Sequence, residues 1–147
     1  MPVGNNIVCQ VAVVVKDIEK TARDYAEIFG LAVPEVVITD PLEKAHTRYH
    51  GKPTEGRAKL AFFNMGQVVL ELIEPIGGPS TWQEVLDSRG EGMHHIAFMV
   101  SGMDNTLAQL DSQGCPTVQR GDYTGGQYAY VDATKKLKLV LELLENK

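Results

Sequence analysis

The sequence predicts an α+β fold made of two copies of one βαβββ module. Two pairs of matching strand-like segments carry this prediction, because similar strings open and close the two halves of the chain. The opening strings are QVAVVV, starting at Gln10, and HIAFMV, starting at His95; the closing string VLEL starts at Val69 and again at Val140. A helix with apolar residues at helical spacing follows each opening strand, so each half has the same predicted order of elements.

The matching segments divide one predicted domain, residues 1–147, into two repeats. The first repeat covers about residues 5–75, a linker with a short helix covers 76–91, and the second repeat covers about 92–146. The opening strings are 85 residues apart and the glutamates of the closing strings are 71 apart, so the first repeat is longer by 14 residues. A chain of this length can bury the core of one compact domain.

The first repeat shows strand patterns on both sides of one amphipathic helix. This helix begins after the capping residue Asp17 and ends at Gly30, a residue suited to the left-handed position past a helix. The surplus residues fall in Asp40–Gly56, a polar segment with two prolines that predicts an irregular excursion. Such an excursion is either a functional loop or a neutral surface insertion. The predicted strands are Ile7–Val15, Val33–Thr39, Leu60–Asn64 and Val68–Glu74.

A capping-box pattern and a second helix organise the rest of the chain. Ser80, followed by Gln83, predicts the start of a short helix that ends near Gly90. The second module then opens with a strand at His95, and Gly114 ends its helix. Its helix is predicted over about Asp104–Gln113. Three strands are expected after this helix, and two of them are predicted near Gln127–Val131 and Leu137–Leu144.

Composition and charge exclude several classes of protein. A net charge of −5 argues against nucleic-acid binding, which needs a clustered basic face, and no apolar run approaches the roughly 20 residues that cross a bilayer. The first six residues lack the pattern of a signal peptide. Cys9 and Cys115 are isolated, which favours two reduced thiols over a disulfide. We therefore predict a cytoplasmic protein with a small-molecule substrate and no nucleic-acid or membrane partner.

Four polar residues interrupt the apolar strands at matching places in the two halves. They are Gln10, Glu71, His95 and Glu142. Taken singly, a hydrogen-bonded core histidine or a solvent-facing glutamate would explain each of them. Taken together, they favour a divalent metal, because two buried carboxylates on related strands would repel each other and a cation removes that penalty. The side chain of His94 is predicted to point to the opposite face and to be structural.

On these residues the chain resembles the vicinal oxygen chelate superfamily, from Ile7 to Leu144. That superfamily builds a half-open barrel sheet from paired βαβββ modules, with helices outside and a metal chelated inside. The resemblance implies one divalent ion (Co, Mn, Ni, Zn or Mg) held by Gln10, Glu71, His95 and Glu142. It also implies a homodimer, and it leaves open whether the site lies within one chain.

Within the superfamily, the strings ELIEP at Glu71–Pro75 and GEGMHHIAF at Gly90–Phe98 are most similar to methylmalonyl-CoA epimerases. The segment KDIEK at Lys16–Lys20 matches as well. This resemblance implies an isomerase that moves a proton alpha to a thioester carbonyl, on methylmalonyl-CoA or a similar acyl-CoA. It places the two catalytic carboxyl groups on Glu55 and Glu142.

Gln10 departs from that pattern, because the epimerases have His at this position. The set Gln, Glu, His, Glu is similar to that of some glyoxalase I enzymes, so a glyoxalase I-like lactoylglutathione lyase is the alternative. A non-catalytic, drug-binding protein of the same fold is a further alternative, although four retained polar positions argue against it. An extradiol dioxygenase is disfavoured, since its iron triad needs His where this chain has Gln10.

Overall fold

The computed structural model describes all 147 residues as ten strands and five helices. The strands are β1 Gln10–Val14, β2 Val37–Ile38, β3 Arg48–Tyr49, β4 Lys52–Pro53, β5 Arg57–Asn64, β6 Val69–Ile76, β7 Gly92–Met99, β8 Thr117–Tyr123, β9 Gly126–Asp132 and β10 Val140–Asn146. The helices are α1 Ile18–Phe29, α2 Leu42–Ala45, α3 Thr81–Arg89, α4 Met103–Ser112 and α5 Thr134–Leu137.

All ten strands form one curled, half-barrel sheet whose order is β2-β5-β6-β1-β7-β10-β9-β8-β3-β4. The opening strands of the two halves, β1 and β7, pair antiparallel at the centre. Each opening strand pairs in parallel with the closing strand of its own half, β1 with β6 and β7 with β10. The predicted α+β architecture of two βαβββ modules with helices outside is confirmed.

The helix ends follow the signals that the sequence carries. Asp17 accepts a hydrogen bond from the backbone N–H of Lys20 at the start of α1, and Gly30 ends that helix in the left-handed region at φ 67°. Ser80 accepts a hydrogen bond from the backbone N–H of Gln83 and so caps α3. The predicted starts and ends of these two helices are therefore confirmed.

Several predicted boundaries were wrong. The predicted strand Val33–Thr39 is reduced to Val37–Ile38, and the predicted strand Leu137–Leu144 begins only at Val140, after the helical turn α5. Strand β8 was not located from the sequence, because its string TVQRGDY has polar residues on both faces and no apolar alternation.

The sheet has a helix-covered outer face and a concave inner face. Helix α1 packs on Leu72 and helix α4 packs on Leu143, and both leucines are fully buried in the outer core. Since side chains alternate along a strand, Glu71 and Glu142 point to the inner face. The sheet is thus covered on the side away from the two glutamates, which places the glutamates inside the curled sheet.

The excursion of the first half crosses to the second half. It contains α2 and the short hairpin of β3 and β4, and β3 pairs antiparallel with β8, with Arg48 opposite Arg120. The side chain of Tyr49 donates a hydrogen bond to Glu84 of α3. The 14 surplus residues therefore extend the sheet of the second module.

No helix in the protein is long and apolar enough to cross a bilayer.

Candidate metal centre

The four polar residues predicted as ligands lie on the four central strands, one on each. In the register of the sheet, Ala12 stands between Glu71 and His95, and Ala97 stands between Gln10 and Glu142. The two rows are neighbours on the inner face, because Gln10 and Ala12 are two residues apart on one strand. A pseudo-twofold axis between β1 and β7 exchanges Gln10 with His95 and Glu71 with Glu142.

The two alanines at the centre leave room for the longer side chains to converge. Ala12 and Ala97 are fully buried, and a larger side chain at either position would fill the space above the sheet where the ligands meet. Glu71, His95 and Glu142 are themselves buried, with exposed fractions of 6%, 0% and 5%. Bulk water therefore has little access to these three side chains.

The distances in this cluster fit a divalent ion. Nε2 of His95 lies 3.3 Å from Oε1 of Gln10, 3.3 Å from Oε1 of Glu142 and 3.6 Å from Oε1 of Glu71. The ligand atoms of Glu71, His95 and Glu142 all lie within 4.8 Å of one another. Ligands at about 2.0–2.2 Å from one ion are separated by about 3.0–3.5 Å, so small movements of the side chains complete the coordination.

The electrostatics of Glu71 give an independent reason for a cation. Burial raises the pKa of this carboxyl well above its ordinary value, and the charge of Glu142 raises it further. Oε1 of Glu71 is buried without any hydrogen-bond partner. A cation would satisfy this oxygen and favour the ionised form, so the residues present fit a metal ion.

A β-bulge beside Ala12 and Val13 brings His94 to the same site as His95. The register of β1 and β7 shifts at this point, and the two histidine rings are in edge contact with their Nδ1 atoms 2.7 Å apart. The prediction that His94 points to the opposite face was therefore wrong, because a bulge breaks the alternation on which it rested. The prediction that His94 has a structural role is compatible with this contact.

The contacts of His94 are compatible with the tautomer of His95 that binds a metal through Nε2. Burial lowers the pKa of His94 well below its ordinary value, so its ring is neutral and has one N–H. Its Nε2 faces Thr81, both at the backbone and at Oγ1, 3.3 Å away. With the N–H of His94 directed to Thr81, Nδ1 of His94 accepts from Nδ1–H of His95. Nε2 of His95 is then left with a free lone pair, which is the form that binds a metal.

A cavity of about 570 Å³ opens on the inner face of the sheet and reaches this cluster. Gln10, Glu71 and Glu142 line it, as do Ala45 and Thr47 of the excursion. Four of the twenty lining residues carry a carboxyl group, and none is Lys or Arg. A ligand in this cavity therefore meets a strongly acidic lining, apart from any bound cation.

The cavity is also lined by an aromatic cluster that was not predicted from the sequence. The indole N–H of Trp82 donates to the hydroxyl oxygen of Tyr130, 3.0 Å away, and the Tyr130 ring packs against both histidine rings. Burial raises the pKa of Tyr130 well above its ordinary value, and the charges of Glu142 and Glu71 add to this effect. The position of Tyr130 on β9 opposite Glu142 could have been found only with the strand register in hand.

Glu55, by contrast, is not brought to the cluster. Its neighbours on both sides are buried against the linker: Thr54 Oγ1 donates to the carbonyl of Pro79 at 2.6 Å, and Gly56 leaves no space for a side chain there. The side chain of Glu55 is exposed and does not line the cavity. The structure thus supports the four predicted metal positions as one cluster and separates Glu55 from them.

A half-barrel of two βαβββ modules with a chelating cluster on its central strands defines a class of metal-chelating proteins with an inner cavity. Residues 9–131 match the Glyoxalase/Bleomycin resistance protein/Dioxygenase superfamily, and the chain belongs to that superfamily.

The relatives by sequence include epimerases. The chain is 32% identical over 96 residues to the uncharacterized protein YqjC of Bacillus subtilis, covering 63% of this chain and 69% of that protein. It is 33% identical over 101 residues to the mitochondrial methylmalonyl-CoA epimerase of Homo sapiens, covering 68% of this chain and 49% of the enzyme. The mouse epimerase matches over the same length at 32%. The chain spans about half the length of the curated epimerases that it matches.

Solved structures support the fold. Methylmalonyl-CoA epimerase of Mycobacterium tuberculosis superposes with a TM-score of 0.65 at 20% identity, covering 98% of this chain and 92% of that one. An E43Q variant of the Streptomyces coelicolor epimerase, in complex with 2-nitronate-propionyl-CoA, superposes with a TM-score of 0.64 at 20% identity, covering 96% and 97% of the two chains. At this identity the likeness concerns the half-barrel fold.

Proposed function

We propose that this protein is a metal-dependent epimerase that moves a proton alpha to the thioester carbonyl of an acyl-CoA such as methylmalonyl-CoA. The observation that carries the proposal is the buried cluster of Gln10, Glu71, His95 and Glu142 at the base of a cavity. The sequence likeness to curated methylmalonyl-CoA epimerases supports the reaction class. A divalent ion, when bound, supplies positive charge that stabilises negative charge on a thioester oxygen.

Epimerisation needs one carboxyl group on each side of the substrate carbon. Glu142 is the base that the sequence predicts, and its partner across the pseudo-twofold axis is Glu71. We assign to Glu71 the role that the sequence assigned to Glu55, because Glu71 is in the cavity and Glu55 is not. One group, as a carboxylate, takes the proton from the alpha carbon on its face, and the other, as a carboxylic acid, gives its own proton to that carbon on the opposite face. The apolar side chains of Leu60 and Phe62 on the wall limit the access of water.

The proposal is tested by exchange of the alpha proton with solvent. Purified protein is stripped of metal with a chelator, reloaded with Mn²⁺, Co²⁺, Ni²⁺, Zn²⁺ or Mg²⁺, and incubated in D₂O with a single epimer of methylmalonyl-CoA. We expect deuterium at the alpha carbon, detected by mass spectrometry, only in metal-loaded samples. Absence of exchange with every metal would refute the proposal for this substrate.

The acidic lining of the cavity makes the choice of substrate part of the same experiment. A 2-methylacyl-CoA without a free carboxylate is run beside methylmalonyl-CoA, because the cavity offers no Lys or Arg to a second carboxylate. Faster exchange with the neutral acyl group would leave the reaction class intact and change the substrate.

Glu55→Gln decides between the two assignments of the second carboxyl group. We expect this variant to bind metal and to exchange the alpha proton like the wild type, because the Glu55 side chain is exposed outside the cavity. Loss of exchange with retained metal would restore Glu55 as a catalytic residue.

Gln10 favours one alternative, a glyoxalase I-like lactoylglutathione lyase. The amide oxygen of Gln10 lies 3.3 Å from Nε2 of His95, so the set Gln, Glu, His, Glu converges in one place. Isomerisation of the hemithioacetal of methylglyoxal and glutathione, followed by absorbance of the thioester product, measures this activity. Higher activity in this assay than in thioester exchange would favour the lyase. A protein that binds no divalent ion would instead fit the non-catalytic drug-binding alternative.

Two properties of the whole protein also stay proposals. We propose a homodimer, as the superfamily resemblance implies, and a cytoplasmic location, as the two isolated cysteines favour. All four metal positions come from one chain, so the cluster itself does not require a partner. Light scattering of the eluted protein measures the oligomeric state.

A further inference from the structure

The hydroxyl of Tyr130 has a hydrogen to donate and no acceptor in the protein. Its oxygen accepts the indole N–H of Trp82 at 3.0 Å, and no protein acceptor lies within hydrogen-bond distance of its own O–H. Tyr130 is 2% exposed, so bulk water does not solvate this group. Buried hydroxyl groups ordinarily find a partner, and the absence of one here indicates a group reserved for a ligand.

The strand register places this hydroxyl group on the inner face beside the metal cluster. Tyr130 on β9 is directly opposite Glu142 on β10, and its ring centroid is 5.0 Å from that of His95. Tyr130 also lines the cavity together with Glu71 and Glu142. The ring is held from several sides, with Trp82 and His94 in edge contact, so the direction of the hydroxyl is fixed.

The other module has the same position without the hydroxyl. Phe62 on β5 is directly opposite Glu71 on β6, as Tyr130 is opposite Glu142. The pseudo-twofold axis therefore relates an aromatic side chain that cannot donate a hydrogen bond to one that can. The oxygen of the Tyr130 hydroxyl accepts from Trp82, whereas its hydrogen has no counterpart at Phe62 and no acceptor in the protein.

We propose that Tyr130 is a catalytic residue whose hydroxyl donates a hydrogen bond to the thioester oxygen of the substrate while the alpha proton is removed. This inference rests on the proposed function. When a carboxylate takes the alpha proton, the electron pair of the C–H bond moves into the carbonyl and leaves negative charge on that oxygen. A fixed donor directed at this oxygen lowers the barrier, because its hydrogen bond strengthens as the charge develops. No proton leaves Tyr130, and when the alpha carbon is reprotonated the charge and the hydrogen bond both weaken.

The test compares Tyr130→Phe with the wild type in three measurements. We expect kcat for alpha-proton exchange to fall by about 10²-fold, the loss typical of one oxyanion donor, with KM changed by less than about threefold. Affinity for 2-nitronate-propionyl-CoA, whose anionic group resembles the charged transition state, falls by a similar factor. The dissociation constant for Mn²⁺, measured by calorimetry, is unchanged, because the hydroxyl is not a metal ligand.

Two further variants serve as comparisons. Tyr25→Phe removes a hydroxyl on the outer face, where the ring packs on Phe63, and is expected to leave all three measurements unchanged. Trp82→Phe removes the indole N–H that orients Tyr130 and is expected to lower kcat by a smaller factor. If Tyr130→Phe does not fold, 3-fluorotyrosine at position 130 is used instead; it is a stronger donor and should tighten nitronate binding.

The outcomes separate this inference from the function on which it rests. Exchange by the wild type with an unaffected Tyr130→Phe would overturn the role of Tyr130 alone, as would a parallel loss of Mn²⁺ affinity. A wild type without exchange would refute the epimerase, and the nitronate measurement would still decide the role of Tyr130. If the wild type and Tyr130→Phe bind the nitronate with equal affinity, or if neither binds it, the proposed role of Tyr130 is overturned.

Discussion

The two modules of this protein have the same strands in the same order and differ in the residues that surround the site. Both contribute a glutamate from the closing strand, Glu71 or Glu142, and one polar residue from the opening strand. Beside its glutamate, one module places Phe62 and the other Tyr130. In the proposed function, the symmetric positions would hold the ion and the asymmetric position of Tyr130 would supply a directed hydrogen bond.

The opening strands differ in a second way. His95 is preceded by a bulge residue, His94, which contacts its ring, whereas Gln10 is preceded by Cys9, whose thiol donates to the carbonyl of Ala97 at 3.3 Å. A histidine ligand has two ring nitrogens and needs a partner to fix its tautomer, but an amide ligand has no such need. The additional residue in β7 is consistent with a histidine ligand on that strand.

The largest effect is expected from breaking the symmetry of the two glutamates. At saturating Mn²⁺, Glu142→Gln should lose exchange with one epimer of the substrate by about 10²–10⁴-fold and keep more of it with the other. Glu71→Gln should show the opposite preference, because in the proposed mechanism the two carboxyl groups act on opposite faces of the alpha carbon. Deuterium incorporation is measured with each pure epimer.

The matched control for the glutamate pair is the wild type with both epimers under the same conditions. If both variants lose exchange with both epimers equally, although Mn²⁺ is bound, the two carboxylates are ligands only.

A smaller effect is expected from the difference between His94 and Cys9. His94→Leu should weaken Mn²⁺ binding by about 10–100-fold, because Nδ1–H of His95 loses its acceptor and the ring is no longer held in the metal-binding tautomer. Cys9→Ala at the equivalent position should leave the affinity unchanged. Calorimetric titration of the metal-free protein measures both.

His94→Gln provides a check on this interpretation, since the amide oxygen of glutamine is also an acceptor. Recovery of part of the affinity in this variant would support the hydrogen bond, and equal losses with Leu and Gln would indicate a packing effect.

The smallest effect concerns the pH dependence of stability. The pKa of Glu71 is raised in the folded protein, first by burial and then by Glu142, so the metal-free folded state binds a proton more tightly than the unfolded state does. Stability from this group is fully present below the ordinary pKa of glutamate and is lost as pH rises through the folded value. Urea unfolding in the presence of a chelator should therefore show a decrease that Glu71→Gln lacks.

The difference between the wild type and Glu71→Gln is the quantity to follow, because other carboxyl groups contribute their own pH dependence. Added Mn²⁺ should remove the decrease in the wild type, since the cation stabilises the ionised carboxylate. A pH profile that is the same in the two proteins would contradict the buried position of this group.

The strands that hold the metal cluster were predictable, because alternation and repetition are local properties of a sequence. Gln10 and Glu142 could be placed in one cluster by the match between the two halves. The bulge at His94 could not be predicted, since it depends on the pairing of β7 with β1 and leaves no mark in the string around it. Short strands such as β3 also have no periodicity from which to be recognised.

The catalytic role of Glu55, which the resemblance implied, stays a prediction. In the structure, Thr54 and Gly56 pack against Pro79 and the side chain of Glu55 between them is exposed. Tyr130 was not predicted from the sequence. Its sequence neighbours suggest an ordinary aromatic strand residue, and its importance comes from Trp82, which lies 48 residues away in the chain.

The pairing of β3 with β8 has a consequence for how the molecule holds together. The two halves are joined twice along one continuous sheet, at the central seam of β1 with β7 and again where the excursion of one half borders the other. A half that exchanged its place with the same half of another copy would have to break both sets of backbone hydrogen bonds. The excursion therefore opposes domain swapping, because it adds a second set of backbone hydrogen bonds between the two halves of one polypeptide.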